Sequence, residues 1–398
     1  MTSKLVLTLR QFGCEVDVIS RAELELYGNS WELPWTELQT CTQELVPASR
    51  SKALLLAERV VDAVTLGHPI AGLRWARLAV QRGREMLNQK RYDALISRAP
   101  PEVGHLPALI LARETGVPWI ANWNDPPVGA WPTPYSNGSQ VHQWIYERLA
   151  RQVLTQATAL TFPSERLAQH IFRHFEINPQ PRVAIIPHAA MPGLQLPPLR
   201  KSTDVFRLCH AGKLCNARDP RKFLEGIQQF LVAERLPAGQ FIFDQIGHVD
   251  ADLQVLSREY GIQEHVRCTG PMSYLATMEY LSQSDVAVLV EAPCEEGIFL
   301  PSKLIDYAQT GRPIFAASPR NGTVADLMAK HGGGIAADTS SSESIAGALT
   351  ALHRAWKRRE LDEKFNSREL CKQFTSDSIL DSYQEILQVL RIECKFNQ

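Results

Sequence analysis

Two stretches of this 398-residue chain carry residue types that handle phosphorylated ligands. The first is the turn Gly212-Lys213-Leu214 with Arg218 close behind it. It follows the apolar run VFRLCHA and precedes a helical pattern that starts near residue 220. Two cations at a strand-to-helix turn can clamp a diphosphate, and a helix start adds free N–H donors and partial positive charge. The competing reading is a pair of solvated surface cations, with Arg218 bound locally to Asp219. The second stretch is EAPCEEGIFLPSKLIDYAQTGRP, residues 291–313. A buried strand is predicted to end at Val290 and to give way to a polar, glycine-containing loop with Glu295 and Glu296. A helix is predicted from Pro301-Ser302, because proline and serine suit a first turn. Lys303 and Asp306 then share roughly one helix face, where the carboxylate can accept from ribose hydroxyls and the lysine can meet phosphate. The competing reading is a surface Lys–Asp pair worth about 0.2–0.5 kcal/mol.

The elements that must position these residues follow from the alternation of short β-rich runs with helical stretches, a pattern of parallel sheets with crossover helices. Residues 2–12 are predicted helical and Glu15–Ser20 a strand. Helical patterns occupy 50–64 and 73–90, and Asp93–Ser97 is a buried strand. The turn-rich RAPPEVGH leads into a helix ended by Gly116, then the strand VPWIANW and the loop NDPP. A helix over 141–155 and strands in ATALTFPS and RVAIIPHAA complete the first half. Residues 191–204 hold three prolines and no periodicity, which marks a linker. The alternation then restarts at VFRLCHAGKL. The fold class is α/β, with two doubly wound parallel-sheet (Rossmann-like) domains facing a cleft. Ligands of such sheets bind outside the carboxyl ends of the strands.

Composition narrows the function classes. The net charge of −1 gives no general attraction for nucleic acid, so an anion site must be built locally. No apolar run approaches the roughly 20 residues that span a bilayer, and the first residues show no small-residue cleavage site. The eight cysteines form no C-x-x-C pair, which points to free thiols in a reducing cytosol and to no metal site. There is no P-loop, dinucleotide fingerprint, H-E-x-x-H or nucleophile elbow. Asn137 and Asn321 match glycosylation sequons, without a secretion signal.

Gly212-Lys213-Leu214 with Arg218, together with E-E-G-x-F-L-P-S-K-x-x-D-Y-x-x-x-G-R-P, resembles the second domain of family 4 glycosyltransferases of the GT-B architecture. The central stretch SRAPPEVGHLPALILARETGVPWIANWNDP resembles the family's first domain. The resemblance covers most of the chain, and the 291–313 stretch is its specific part. It implies an acceptor-side domain over 1–192, a linker over 193–204, a nucleotide-sugar domain over 205–375 and a C-terminal helix, 376–398, crossing back. It implies that Lys213 and Arg218 of the Gly212 turn bind the donor diphosphate, and that Glu295 or Glu296 sits near the donor sugar. Asp306 stands where the family has the ribose-binding glutamate, with Lys303 assisting. His105 would lie in the cleft near the sugar, and Asp125 would face the acceptor. Asp306 is one methylene shorter than the usual glutamate, and its spacing from Glu296 is longer than the family's. The family also begins with a strand and a glycine-rich turn ahead of its first helix, whereas this sequence starts at that helix. The expectation is a misassigned start or a missing sheet edge, with open backbone groups beside it.

The resulting expectation is a glycosyltransferase that moves a sugar from a nucleoside-diphosphate sugar to a hydroxyl acceptor, polysaccharide or lipid-linked. It would work with retention, without a metal and without a cofactor beyond its donor. Two alternatives stay open: a non-catalytic nucleotide-sugar-binding or scaffold protein, and a nucleotide-sugar epimerase. The basic segment 73–91, with cations at 74, 77, 82, 84, 90 and 91, is read either as a peripheral contact with the inner membrane face or as an ordinary solvated helix. His188 is read as hinge packing or ligand contact. The expected location is cytoplasmic.

Overall fold

In the computed structural model of the chain, residues 1–21, 35–135, 140–178, 182–199, 204–214, 217–247 and 251–390 are described. The Asn137 sequon, Cys215, part of the predicted linker and the end of the predicted C-terminal helix lie outside them. The chain divides into two compact units. The second runs from His188 to Ser378, and the first comprises most of the chain before it and the residues from Ile379 onward.

The first unit opens with helix α1 (Thr2–Gln11), strand β1 (Val18–Arg21), α2 (Trp35–Cys41) and β2 (Thr42–Leu45). Helices α3 (Lys52–Leu66) and α4 (Leu73–Gln89) follow, then β3 (Leu95–Ala99), α5 (His105–Thr115) and β4 (Trp119–Trp123). Helix α6 (Gln140–Gln156), β5 (Ala159–Phe162), α7 (Glu165–Phe175) and β6 (Arg182–Ile185) close the series. All pairings are parallel, but they form two sheets: β1 with β2, and β3-β4-β5-β6 in chain order. Among the described residues β1 pairs only with β2, and β3 pairs only with β4. A cavity of about 170 Å³ lies between these strands, lined by Asp17 and Ile19 on one side and Leu95 and Ile96 on the other, with Ala79 and Gly83 of α4. The Tyr92 hydroxyl donates to Asp17 at 2.6 Å and ties the entry of β1 to the entry of β3.

The basic segment of α4 is not an open cationic face. Arg74 pairs with Glu58 at 2.7 Å, Arg77 with Asp62 at 2.8 Å and Arg84 with Glu114 at 2.6 Å. Arg82 binds Gln43 and Glu85, and Lys90 binds Glu15 at 2.6 Å. The small residues Ala76, Ala79 and Gly83 form the buried face of the same helix.

The second unit contains β7 (Phe206–Ala211), α8 (Arg221–Glu234), β8 (Phe241–Ile246), α9 (Ala251–Glu259) and β9 (Val266–Gly270). It continues with α10 (Tyr274–Ser282), β10 (Val286–Val290), α11 (Ser302–Gln309), β11 (Ile314–Ser318), α12 (Thr323–His331), β12 (Gly334–Asp338) and α13 (Ser342–Lys357). Short helices α14 (Leu361–Phe365) and α15 (Arg368–Lys372) lead to α16 (Ser376–Val389), which carries the chain back into the first unit. The six strands are parallel in the order β12-β11-β10-β7-β8-β9. Successive side chains of a strand point to opposite faces. Accordingly Phe206, Leu208, Val286, Val288, Val290 and Phe315 meet α8 and α13 on one face. Cys209, Ala287, Leu289, Ile314 and Ala316 meet α10, α11 and α12 on the other. A sheet covered on both faces explains the unbroken apolar run VAVLV of β10, which is buried throughout.

One buried charge ties these layers together. Asp244 of β8 is fully buried and accepts from Arg267 at 2.7 and 3.0 Å, from Arg207 at 3.4 Å and from the Tyr280 hydroxyl at 2.9 Å. Tyr280 lies on α10, so this network fixes the helix whose first residue, Tyr274, reaches the candidate site. Asp244→Ala leaves two guanidinium groups without their partner and is expected to destabilise the protein by about 3 kcal/mol. Urea unfolding reads this directly, and a loss under about 1 kcal/mol would show that water replaces the carboxylate.

Candidate functional site: the Gly212 turn and the start of helix α11

The strand order of the second unit reverses between β10 and β7, so the loops after these two strands flank the switch point. Both sequence-predicted stretches are those loops. Strand β7 ends at Ala211, whose backbone N–H donates to the Tyr307 hydroxyl of α11 at 2.9 Å. Gly212 follows with φ 115°, a conformation that side chains rarely adopt. Its N–H donates to the Ile246 carbonyl at 2.7 Å, and its carbonyl accepts from the Gln245 amide at 2.8 Å. The turn is therefore held by backbone and side chain from β8.

Helix α11 begins at Ser302 with no side-chain cap, its Leu304 N–H donating to the Pro301 carbonyl at 2.9 Å, and its start carries the partial positive charge of a helix N-terminus. Lys303 in its first turn reaches over Gly212, where its ammonium occupies the space that a β-carbon on residue 212 would need. The ammonium also donates to His210 Nε2 at 3.4 Å. His210 Nδ1 faces the Val288 carbonyl at 2.8 Å, so the ring carries its proton there and accepts through Nε2. Burial holds His210 well below its ordinary value, and the Lys303 charge adds to this, so the ring stays neutral. Lys213 and Arg218 are exposed. The Arg218 charge acts on His210, Tyr307 and Glu291, which places it on the same side of the unit. The structure thus brings Gly212, Lys303 and the Arg218 charge together at the carboxyl ends of β7 and β10.

Asp306 is half-buried, and its carboxylate accepts from the Tyr274 hydroxyl at 2.8 Å. Glu296 is half-buried, and its carbonyl accepts from the Cys294 thiol at 3.3 Å. Glu295 is exposed and lines a cavity of about 400 Å³ with Arg320, Asn321 and Asp338. That cavity sits at the carboxyl ends of β10, β11 and β12, beside the switch point. Gly297 has a packing role: its N–H donates to the Asn321 carbonyl at 2.8 Å and its carbonyl accepts from Thr323 at 2.7 Å.

In the first unit stands His105, which the resemblance puts in the cleft near the sugar. His105 is fully buried at the start of α5. Its Nδ1 lies 2.7 Å from the Ser97 hydroxyl, which also accepts from the Trp119 indole at 2.7 Å, and its ring packs on Trp123 at 4.5 Å. Burial lowers it to about 3, so it is a neutral ring within the core. The cause is local: a β-carbon on Gly104 would lie 2.6 Å from the Arg98 carbonyl, so the turn presses against β3 and directs the next side chain inward. Asp125 follows β4 and is half-buried. His188 is buried at the start of the second unit.

Sequence reasoning missed His210, Tyr274, Tyr307 and Glu291. Two of them had a local signal. His210 immediately precedes the Ala-Gly of the turn, and Glu291 is the first acid after an apolar strand. Glu291 is buried, and burial pushes it up to about 8 against an opposing effect of Arg218.

Residues 1–189 match the model of the family described as "Glycosyl transferase 4-like domain". The comparison with curated proteins gave no match. Among solved structures, a glycosyltransferase from Rickettsia africae aligns with TM-score 0.65 at 11% identity, covering 98% of this chain and 94% of its own. Sucrose-phosphate synthase from Thermosynechococcus elongatus aligns with TM-score 0.64 at 14% identity, covering 97% and 92%. Anabaena HepE, solved in complex with UDP and glucose, aligns with TM-score 0.64 at 12% identity, covering 94% and 100%. The chain has the GT-B fold with two Rossmann-like units, and the family match falls on its first unit. The family matched over residues 1–189 is one of glycosyl transferases.

Glu291 gives a pH test of this site. Its folded value of about 8 stands above the ordinary carboxylate value of 4.5, so its contribution to stability is present below the lower value and is lost as pH rises through the upper one. Across that window the wild-type chain is expected to lose on the order of 1 kcal/mol per pH unit from this group. Glu291→Gln cannot ionise and is expected to flatten the slope. Denaturant unfolding at about pH 5.5 and about pH 7.5 measures it, and equal slopes in both proteins would mean that Glu291 is hydrated.

Proposed function

We propose that the chain transfers a sugar from a nucleoside-diphosphate sugar to a hydroxyl acceptor, with the donor diphosphate held at the Gly212 turn. The observation that carries this reading is the placement of Lys303 across Gly212, beside the uncapped start of α11 and the exposed Lys213 and Arg218. As the bond to the sugar breaks, negative charge grows on the departing diphosphate. Fixed cations and N–H groups aimed at that position stabilise the transition state more than the ground state. The neutral His210 ring beneath Lys303 accepts from the ammonium without competing for it as a second charge. In this reading the lysines and Arg218 neutralise the leaving group without a metal ion, the anomeric configuration is retained, and no cofactor beyond the donor takes part.

Asp306, presented by Tyr274, is assigned to ribose. Glu295 and Glu296 stand on the loop that would meet the donor sugar, and Asp125 is assigned to the acceptor side. His105 keeps a positioning role through Ser97 and Trp123. The UDP and glucose of the HepE structure make UDP-sugars the first donors to try. The acceptor class is a carbohydrate or a lipid-linked glycan at the cytoplasmic face of a membrane. One observation favours a second reading, a binding protein without turnover: Asp306 is a short carboxylate already engaged by Tyr274.

Nucleotide release with and without an acceptor extract separates these readings. Transfer predicts release that depends on acceptor, an epimerase converts donor alone, and a binding protein does neither. Lys303→Ala is expected to lower kcat/KM by 10²–10³-fold, about 2.7–4 kcal/mol of barrier. An unchanged kcat/KM would remove Lys303 from the clamp.

A further inference from the structure

Helix α3 is turned inside out. Its two acids, Glu58 and Asp62, are four residues apart and share the face that packs on α4, where they pair with Arg74 and Arg77. Asp62 is the buried residue of the helix, with 2% of its side chain exposed. Five of its large apolar residues are exposed, and Leu56, Val60 and Val64 lie opposite the acids. Leu54 is 55% exposed, Leu56 65%, Val60 59%, Val61 57% and Val64 77%. Leu56, Val60 and Val64 recur every fourth residue and make a continuous stripe. Val46, just before the helix, adds another side chain at 57%.

Surface helices of a globular protein normally bury their apolar stripe and expose their charges. Here the α4 arginines draw the acids of α3 inward, and the stripe is left on the outside. The charges that remain at its edge are cationic: Lys52 and Arg59 are exposed, and Arg50 is only loosely held by Glu58 at 3.5 Å. An apolar stripe edged by lysine and arginine matches a bilayer with anionic headgroups, where side chains enter the acyl boundary and cations stay at the phosphates.

We propose that α3 is the surface by which this chain lies on an anionic membrane, with Leu56, Val60 and Val64 inserted and Lys52 and Arg59 at the headgroups. This moves the membrane contact from the basic segment of α4, whose arginines are spent in pairs within the unit, to the helix those pairs hold in place. The inference does not rest on sugar transfer, because vesicle binding needs neither donor nor acceptor.

The test is co-sedimentation of the purified chain with vesicles of phosphatidylcholine containing about 30% phosphatidylglycerol, and with phosphatidylcholine alone. The expected result is binding to the anionic vesicles that weakens as salt rises. Val60→Glu with Val64→Glu is expected to reduce the bound fraction at least about tenfold. Lys52→Gln with Arg59→Gln is expected to reduce it several-fold and to flatten its salt dependence. All four positions are exposed, so thermal unfolding should be unchanged; if the glutamates do destabilise the chain, Val60→Ser with Val64→Ser replaces them. Failure of the wild-type chain to bind anionic vesicles would overturn the proposal, as would equal binding by the valine variants. A concentration-dependent dimer that the valine variants dissolve, with no vesicle binding, would give the face to a second copy of the chain and overturn it too.

Discussion

Lys303 stands where a side chain on residue 212 would have to be, and the second unit is organised to make that overlap tolerable. Residue 212 is glycine for its backbone conformation, and the Lys303 ammonium takes up the space that this leaves. The turn cannot move aside, because Gln245 and the Ile246 carbonyl hold both of its backbone groups. Helix α11 cannot rotate the lysine away, because Tyr307 of the same helix is bonded to the backbone of Ala211. His210 completes the arrangement as a buried neutral acceptor, which spares the lysine a like charge. Two apolar layers, one on each face of the sheet, then fix the strands from which both loops emerge. A cation held this way loses little freedom when an anion arrives, which is the physical content of preorganisation.

The first unit solves a different problem. Its parallel strands fall into two sheets, and the entries of β1 and β3 are linked by Tyr92 and Asp17. Charge pairing does much of the joining elsewhere: Arg74, Arg77 and Arg84 of α4 meet acids on α3 and α5. These pairs are mostly half-exposed and contribute modestly to stability. The exception is the one that buries Asp62, which would be costly without Arg77. Orientation is the larger consequence, since these pairs decide which face of α3 meets the surroundings.

Much of this architecture was legible in the sequence because the periodicity was strong. The unbroken run of β10, the helix start at Pro301-Ser302 and the restart of alternation at VFRLCHAGKL all read correctly, since buried parallel strands and helix first turns have distinctive compositions. The loop after β10, residues 291–301, and the Gly212 turn both read as neighbours of a helix start. What the sequence could not show was side-chain direction. His105 sits in a turn-rich segment that reads as exposed, yet contact between Gly104 and the Arg98 carbonyl turns it into the core. The arginines of α4 read as a basic face because their partners lie on other elements. Tyr274 carries no motif, Tyr307 is legible only as part of the Asp306-Tyr307 run, and the packing of α10 and α11 brings them to Asp306 and Ala211.

Hydrogen exchange with and without nucleotide bears most directly on the placement of the donor. The chain would be incubated with a saturating nucleoside diphosphate, beginning with UDP, and backbone amide protection mapped by peptide. The account predicts protection in the turn around Gly212 and in the first turn of the helix that begins at Ser302, with little change in the segments around Arg320 and Asp338 that line the neighbouring cavity. Protection confined to that cavity, or none with any nucleotide, would contradict it.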